Sequence, residues 1–388
     1  DKISARQAAD REKQKKLRKS YEDFLKLLNF VVLVEKDDFW RSEMTPNFTF
    51  DSGMLYDFKG VTYYSSTMNG NLYNFFQRLG NRVYALNVST IYQPTPILDM
   101  MFGIRYHYVT GGALTSEYGD VIEKKGSITV IENRYTLPVA YAVNDAVKSF
   151  QTEGKTPLEA QNDFIRLSTG IRDVDAVSSV QARVLNRENA NLFTSGGKRY
   201  FSSPKSDEES IFEYSFEATK DGFFYIDFDF IVGNYTVSIN DGAEKTGSCG
   251  RDPLKNIGYV KKGDTIYLKV VISGYGVALY GAEGYIIDDT VVARAYDKLS
   301  QNVLDVTYAS DTKIKGTISL KGDSVLYSSI PAEAGWSVWV DGVKQDTFAL
   351  DGVLLCLDIK AGDHTVEYRY QAPGLAAGIG ISVIGAAA

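Results

Sequence analysis

Asp221-Gly222-Phe223-Phe224-Tyr225-Ile226-Asp227-Phe228-Asp229-Phe230 is the stretch that decides the fold class. Successive side chains of a strand point to opposite faces. Phe224, Ile226, Phe228 and Phe230 therefore share one face, and Phe223, Tyr225, Asp227 and Asp229 share the other. A one-residue slip would exchange the two sets, so the first face is expected to be core and the aspartates to be wetted. The run starts from an Asp-Gly turn, as a half-buried antiparallel strand does.

The same texture occurs again downstream. The first copy continues through Tyr235-Thr236-Val237-Ser238-Ile239-Asn240-Asp241-Gly242 to Lys262-Gly263-Asp264-Thr265-Ile266-Tyr267. The second runs Asp323-Ser324-Val325-Leu326-Tyr327, then Trp336-Ser337-Val338-Trp339-Val340-Asp341-Gly342, then Ala361-Gly362-Asp363-His364-Thr365-Val366. The paired Asp-Gly turns are 100 residues apart and the Gly-Asp turns 99 apart. Asp-Gly between alternating runs favours a type I′ turn, because both central residues need positive φ. Two related antiparallel β-sandwiches in tandem, jelly-roll-like, are expected at 191–300 and 301–372.

Upstream the pattern is mixed. Leu72, Phe75, Phe76 and Leu79 make a helical face starting at Asn71 and stopped by Gly80. Thr95-Pro96 opens a helix that Gly103 ends. Thr156-Pro157-Leu158-Glu159 is a capping box, and Gly170 closes its helix. Arg105 to Val109 and Gly126 to Glu132 read as strands. Residues 31–190 are thus expected to be a small α/β domain, making the whole α+β and mostly β. The first 20 residues hold eight Lys or Arg. With the stripe Leu17, Tyr21, Phe24, Leu25, Leu28, residues 1–30 read as a basic helical arm that docks near residue 30. After Arg369 no charged residue follows, and 375–388 reads LAAGIGISVIGAAA. That is shorter than the ~20 apolar residues of a spanning helix, and 373–388 is expected to be a truncated transmembrane stub. A small-residue core segment is the competing reading.

Composition narrows the chemistry. Across 388 residues, 42 basic and 49 acidic side chains give a net charge of −7, which offers no long-range attraction to nucleic acid. Two cysteines, Cys249 and Cys356, exclude a disulfide scaffold and read as buried thiols, with a single bridge as the alternative. Only two histidines, His107 and His364, leave no room for a histidine metal cluster. No metal site and no cofactor is expected. Asp227-Phe228-Asp229 is a DxD, but inside an alternating strand it reads as surface charge. Ser65-Ser66 has no histidine pointed at it by its context and reads as structural.

The segment Asp38-Phe39-Trp40-Arg41-Ser42-Glu43, with Met54-Leu55-Tyr56, Gly60-Val61 and Tyr64-Ser65-Ser66, resembles the extracytoplasmic region of the YfhO family of bacterial integral membrane proteins. Leu98-Asp99-Met100-Met101, Ile104-Arg105-Tyr106, Glu132-Asn133 and Leu137-Pro138-Val139-Ala140 add to the resemblance. So does the closing stretch from Pro331 through Gly335-Trp336 and Gly362-Asp363-His364 to Pro373. It implies a polytopic, type C glycosyltransferase-like protein of the cell membrane that glycosylates teichoic acids from a polyprenyl-phosphate sugar. The family's acidic catalytic residues lie between early membrane helices outside this chain, so no catalytic residue carries over. The implied partners are the envelope polymer and the protein's own membrane domain. Candidate glycan contacts are Tyr63, Tyr64 and Trp336, whose rings match the C–H face of a pyranose, and Arg41 and Glu43, one residue apart on an extended face. Trp336 and Trp339 should face opposite ways, with at most one exposed. A non-catalytic glycan- or protein-binding scaffold module is the alternative, and a free-standing hydrolase the weakest.

Overall fold

The structure is a computed structural model that describes residues 12–13, 15–16, 18–28, 39–45, 51–67, 69–84, 88–90, 93–110, 114, 116–205, 207–230, 232–250, 254–274 and 276–387. The start of the basic arm, residues 1–11, lies outside these. Residues 18–28 are helical, and Phe24, Leu27 and Leu28 are buried. They pack on Met44, Tyr106, Tyr108, Ile128 and Val130. Those residues belong to a four-stranded sheet in the order Arg41–Thr45, Ile104–Thr110, Ile128–Asn133, Gly119–Lys125, whose first pair is parallel.

The three expected helices form, two of them at the expected caps. Asn69 caps Gly70–Arg78, one residue earlier than the apolar pattern suggests. Thr95 caps Pro96–Phe102, which Gly103 ends at φ 65. Thr156 and Glu159 complete the capping box of Pro157–Thr169, and Gly170 ends it at φ 71. These ends form as read because each cap satisfies backbone groups that the helix itself leaves unpaired.

The two sandwiches share one strand order. The outer sheet of the first runs Arg183–Glu188, Ser210–Glu217, Thr265–Ile272, Asn234–Ile239, Lys245–Ser248. That of the second runs Asp305–Ser310, Lys313–Leu320, Gly362–Tyr370, Trp336–Val340, Val343–Lys344. Matching carboxylate and amide ties hold matching turns. Thr265 N donates to Asn240 Oδ1 at 2.8 Å, and Thr365 N to Asp341 Oδ1 at 2.9 Å. Lys262 N donates to Asp221 Oδ1 at 2.8 Å, and Ala361 N to Asp323 Oδ1 at 3.1 Å. Only the second Asp-Gly is the expected two-residue turn, with Asp341 at φ 52 and Gly342 at φ 79. In the first copy the left-handed residue is Asn240 at φ 49, and the hairpin closes more widely, pairing Val237 with Lys245.

The inner sheets show an exchange. In the first, Gly222–Phe228 lies between Leu254–Val260 and Ala282–Ile287. In the second, Ser324–Pro331 lies between Leu354–Ile359 and Ala140–Val143. Ala140–Val143 leads through the helix Pro157–Thr169 into the first sandwich, yet pairs in the second. Ala282–Ile287 leads through the helix Asp289–Leu299 into the second sandwich, yet pairs in the first. Strands before residue 190 therefore take part in both sandwiches: Ala140–Val143 in one, Val177–Val180 and Arg183–Glu188 in the other.

The two inner sheets enclose the helices. Phe224, Ile226, Phe228 and Phe230 enter the core of the first sandwich, as expected. The opposite face is not wetted along its length. Phe223 and Tyr225 are buried in a second core with Phe76, Phe102, Phe164, Val292, Tyr327 and Leu354. Period two assigns residues to faces but does not say whether the second face meets water or another layer. The terminal segment forms the helix Leu375–Ala387, with Leu375, Ile379, Ile381 and Val383 exposed. At ~1.5 Å per residue its 13 residues fall short of a bilayer, and among the described residues no helix is long and apolar enough to cross a membrane.

Phe164 is fully buried, its ring centroid 5.3 Å from Tyr327 and 5.7 Å from Phe150. Phe164→Ala is expected to cost about 3–5 kcal/mol and to lower both sandwiches together in one urea transition. Two separate transitions, or loss confined to one sandwich by hydrogen exchange, would contradict a shared core.

Candidate functional site

Arg41 and Glu43 stand at the start of the parallel strand, but they do not form an open face. The pairing with Ile104–Thr110 slips between Arg41 and Ser42, and the two side chains turn to different tasks. Glu43 is 1% exposed, and its Oε1 accepts from the backbone N–H groups of Val61 and, at 2.9 Å, Thr62. Ser42 N donates to Lys59 O at 2.8 Å alongside. Gly60 allows this approach, since a Cβ there would lie 3.2 Å from Glu43 Oε1 and 3.1 Å from Ser42 O. Burial raises the Glu43 pKa, opposed by the Thr62 and Val61 contacts. A glycan cannot reach this buried side chain, which corrects the expectation that Glu43 contacts one: its Oε1 is taken up by the backbone of Val61 and Thr62.

Arg41 points the other way. Its Nη1 donates to Phe102 O at 2.5 Å and to Ser329 Oγ at 2.6 Å. Phe102 ends the helix Pro96–Phe102, whose last carbonyls have no helical partner and carry partial negative charge. Burial lowers the Arg41 pKa to about 10. Among the described residues no carboxylate forms an ion pair with it.

The loop that Glu43 holds delivers Tyr63 and Tyr64. Tyr63 is half-buried against the central core, and burial, with Glu333 nearby, pushes its hydroxyl pKa up to about 12. Tyr64 is 44% exposed, and its N–H donates to Asp51 Oδ1 at 3.1 Å. Ser65 Oγ accepts from Thr67 N at 3.2 Å, a local turn.

Arg41, Tyr63 and Ser65 line one pocket of about 350 Å³. Asn69, Leu72 and Phe76 supply a wall from one helix, and Ser329, Pro331 and Glu333 close it from the second sandwich. Tyr64 and Trp336 do not line it. Trp336 is half-buried, 5.3 Å from the Tyr370 ring and packed on the second sandwich core. Trp339, also half-buried, lies under the Arg369 guanidinium at 4.5 Å. Neither tryptophan is exposed, within the expectation of at most one, and neither is fully buried. A second cleft, of about 340 Å³, holds Trp40, Arg105 and Tyr296, but there Arg105 Nε is already bonded to Glu132 at 2.9 Å.

Sequence reading missed the contributors from 329–333, which reach the pocket only through tertiary packing and carry no local signal. It also missed a polar knot. Asp99 Oδ2 lies 2.7 Å from His107 Nε2, and accepts from Tyr118 OH at 2.6 Å and Asn133 Nδ2 at 3.2 Å, all buried. This joins a helix to the sheet with no solvent path to a substrate. His364 Nδ1, 2.7 Å from Asp341 Oδ2, pins the second Asp-Gly turn, and the pair raises His364 and lowers Asp341. Cys249 and Cys356 are buried free thiols in different cores, each pushed up to about 12 by burial. In the DxD, Asp229 pairs with Arg199 at 2.8 Å, whereas Asp227 is half-buried.

The chain matches, over residues 2–382, a family of bacterial membrane proteins. That family is YfhO, and the chain belongs to it. No curated protein matches. Solved structures similar to it include a conserved protein of unknown function from Pseudomonas aeruginosa, with 10% identity, 49% of this chain and 93% of that one covered, and a TM-score of 0.16. Vicilin from Capsicum annuum has 9% identity, covers 47% and 80%, and has a TM-score of 0.13. A GH2 β-galacturonidase from Eisenbergiella tayi has 10% identity, covers 52% and 39%, and has a TM-score of 0.18. TM-scores of this size do not define a shared fold, and no functional inference rests on them.

Burial, with Asp229 and Glu283 nearby, raises Asp227 to about 6. A carboxyl raised on folding loses its contribution to stability as pH climbs through that value. Asp227→Asn is therefore expected to leave stability unchanged near pH 4 and to add on the order of 2 kcal/mol above pH ~6, read from urea midpoints. An equal effect at both pH values would contradict this.

Proposed function

We propose that this chain is the extracytoplasmic accessory module of a polytopic, type C glycosyltransferase-like membrane protein, and that it orients a teichoic acid or related envelope polymer for glycosylation from a polyprenyl-phosphate sugar. Membership of a bacterial membrane protein family supports the membrane setting. The observation that carries the binding role is the pocket where Arg41, Tyr63 and Ser65 converge. A cation, a phenol edge and hydroxyl groups above the apolar wall of Leu72 and Phe76 match a flexible polymer with apolar C–H faces and many hydroxyls. The pocket opens between the α/β layer and the second sandwich, so an elongated ligand is fixed by two elements rather than by one loop.

The alternative, a module that docks a partner protein, has one observation in its favour. Val184, Leu185, Leu192 and Phe193 are exposed on two consecutive strands, Arg183–Glu188 and Asn191–Ser195, of different sheets. Scattered exposed apolar residues are common on soluble proteins, whereas a pocket with converging polar groups is less so, and the pocket carries the first reading.

Titration of the whole chain with teichoic acid fragments tests it. Millimolar-range binding is expected, weakened about tenfold by Tyr63→Ala, a loss of roughly 1.4 kcal/mol, and changed little by Tyr64→Ala. Equal affinities in folded wild type and Tyr63→Ala would remove the pocket. No binding at millimolar fragment would favour the partner-docking module.

A further inference from the structure

The pocket holds one cation whose donors are only partly used among the described residues. Arg41 lines it with Nη1 committed to two neutral oxygens. Among the described residues, no hydrogen bond engages its Nη2 or Nε. Glu43 lies close enough to favour its charge but forms no ion pair with it, and a guanidinium out of bulk water is unfavourable unless a further group completes its donors. The helix Gly70–Arg78 presents its N-terminal end here, through the cap residue Asn69, and its first turn has no acidic residue. That end carries the positive partial charge of the helix. Ser65 and Thr67 add hydroxyls to the lining. Glu333 also lines the pocket, but it is solvent-exposed, so water screens its charge more than that of the enclosed Arg41.

We propose that Arg41 binds a phosphoester group in this pocket, so that the ligand is recognised by its phosphate as well as by its hydroxyls. The inference rests on the acceptor reading and deepens it. The Nη2 and Nε groups, uncommitted among the described residues, offer the planar fork that suits two phosphate oxygens. The 350 Å³ volume accommodates one glycerol phosphate or sugar phosphate unit, with the apolar wall behind its carbon chain. The phosphoester could come from a soluble polymer or from a lipid headgroup, and both share this chemistry.

The probes are poly(glycerol phosphate) oligomers, phosphatidylglycerol vesicles, and a neutral polyol glycan of similar length, titrated into the whole chain. Wild type is expected to bind a phosphate-bearing probe and to weaken as salt rises. Arg41→Met, which keeps the length and apolar stem, should weaken phosphate binding at least about tenfold, the scale of a charge-assisted hydrogen bond. Glu333→Gln should tighten it severalfold. Because Glu333 is exposed, that variant keeps the test open if Arg41→Met fails to fold. A preference for oligomers over vesicles, or the reverse, assigns the source. Equal binding of neutral and phosphate probes would overturn the phosphate site while leaving the acceptor reading standing. Failure of every probe would overturn both. Phosphate binding unmoved by Glu333→Gln and by folded Arg41→Met would place the phosphate elsewhere and overturn the assignment to Arg41.

Discussion

The inner sheets of this protein have no wet face over most of their length, and the rest of the architecture follows from that. Phe223 and Tyr225 on one side, Val325 and Tyr327 on the other, present apolar surface away from their own sandwiches. Exposed, that surface would be costly at about 25 cal/mol per Å². The helices 96–102, 157–169 and 289–299 fill the gap and bury both sets of side chains at once. Tyrosine hydroxyls in this layer find backbone partners: Tyr327 OH donates to Met101 O at 2.9 Å, and Tyr225 OH to Pro94 O at 2.8 Å. A layer that satisfies its polar atoms while excluding water fixes the positions of the two sandwiches relative to each other.

The pocket depends on that fixed geometry. One wall belongs to the loop held by Glu43, another to the helix 70–78, and a third to the end of the strand 324–331. Arg41 touches two of the surrounding elements directly, through Phe102 O and Ser329 Oγ. The same guanidinium therefore ties the wall together and belongs to a residue that lines the pocket. The neighbouring Glu43 is a positioning residue, acting on Tyr63 through the backbone of Val61 and Thr62.

The sequence made the local rules legible and left the assembly hidden. Helix ends at Thr95, Thr156, Gly103 and Gly170 were readable because capping is a contract between residues three or four apart. The repeat was readable because turns need particular residues at particular places. Asp227, expected to be wetted, is half-buried, since alternation cannot count the layers beyond a sheet. Arg41 and Tyr63 were visible as chemistry but not as neighbours, and Ser329 and Glu333 were invisible. Positions 41 and 329 meet only in the folded chain, where Arg41 Nη1 reaches Ser329 Oγ.

That exchange also sets the order in which the chain can become a folded object. Ala140–Val143 is synthesised well before its hydrogen-bonding partner, Ser324–Pro331, which follows the entire first sandwich. Until then its apolar edge has no native neighbour in the second sandwich. Ala282–Ile287 faces no such delay, because Gly222–Phe228 has already been made. Synthesis therefore proceeds with one sandwich completed and one strand waiting. The waiting segment is the place where a stalled or cleaved chain would stick to others.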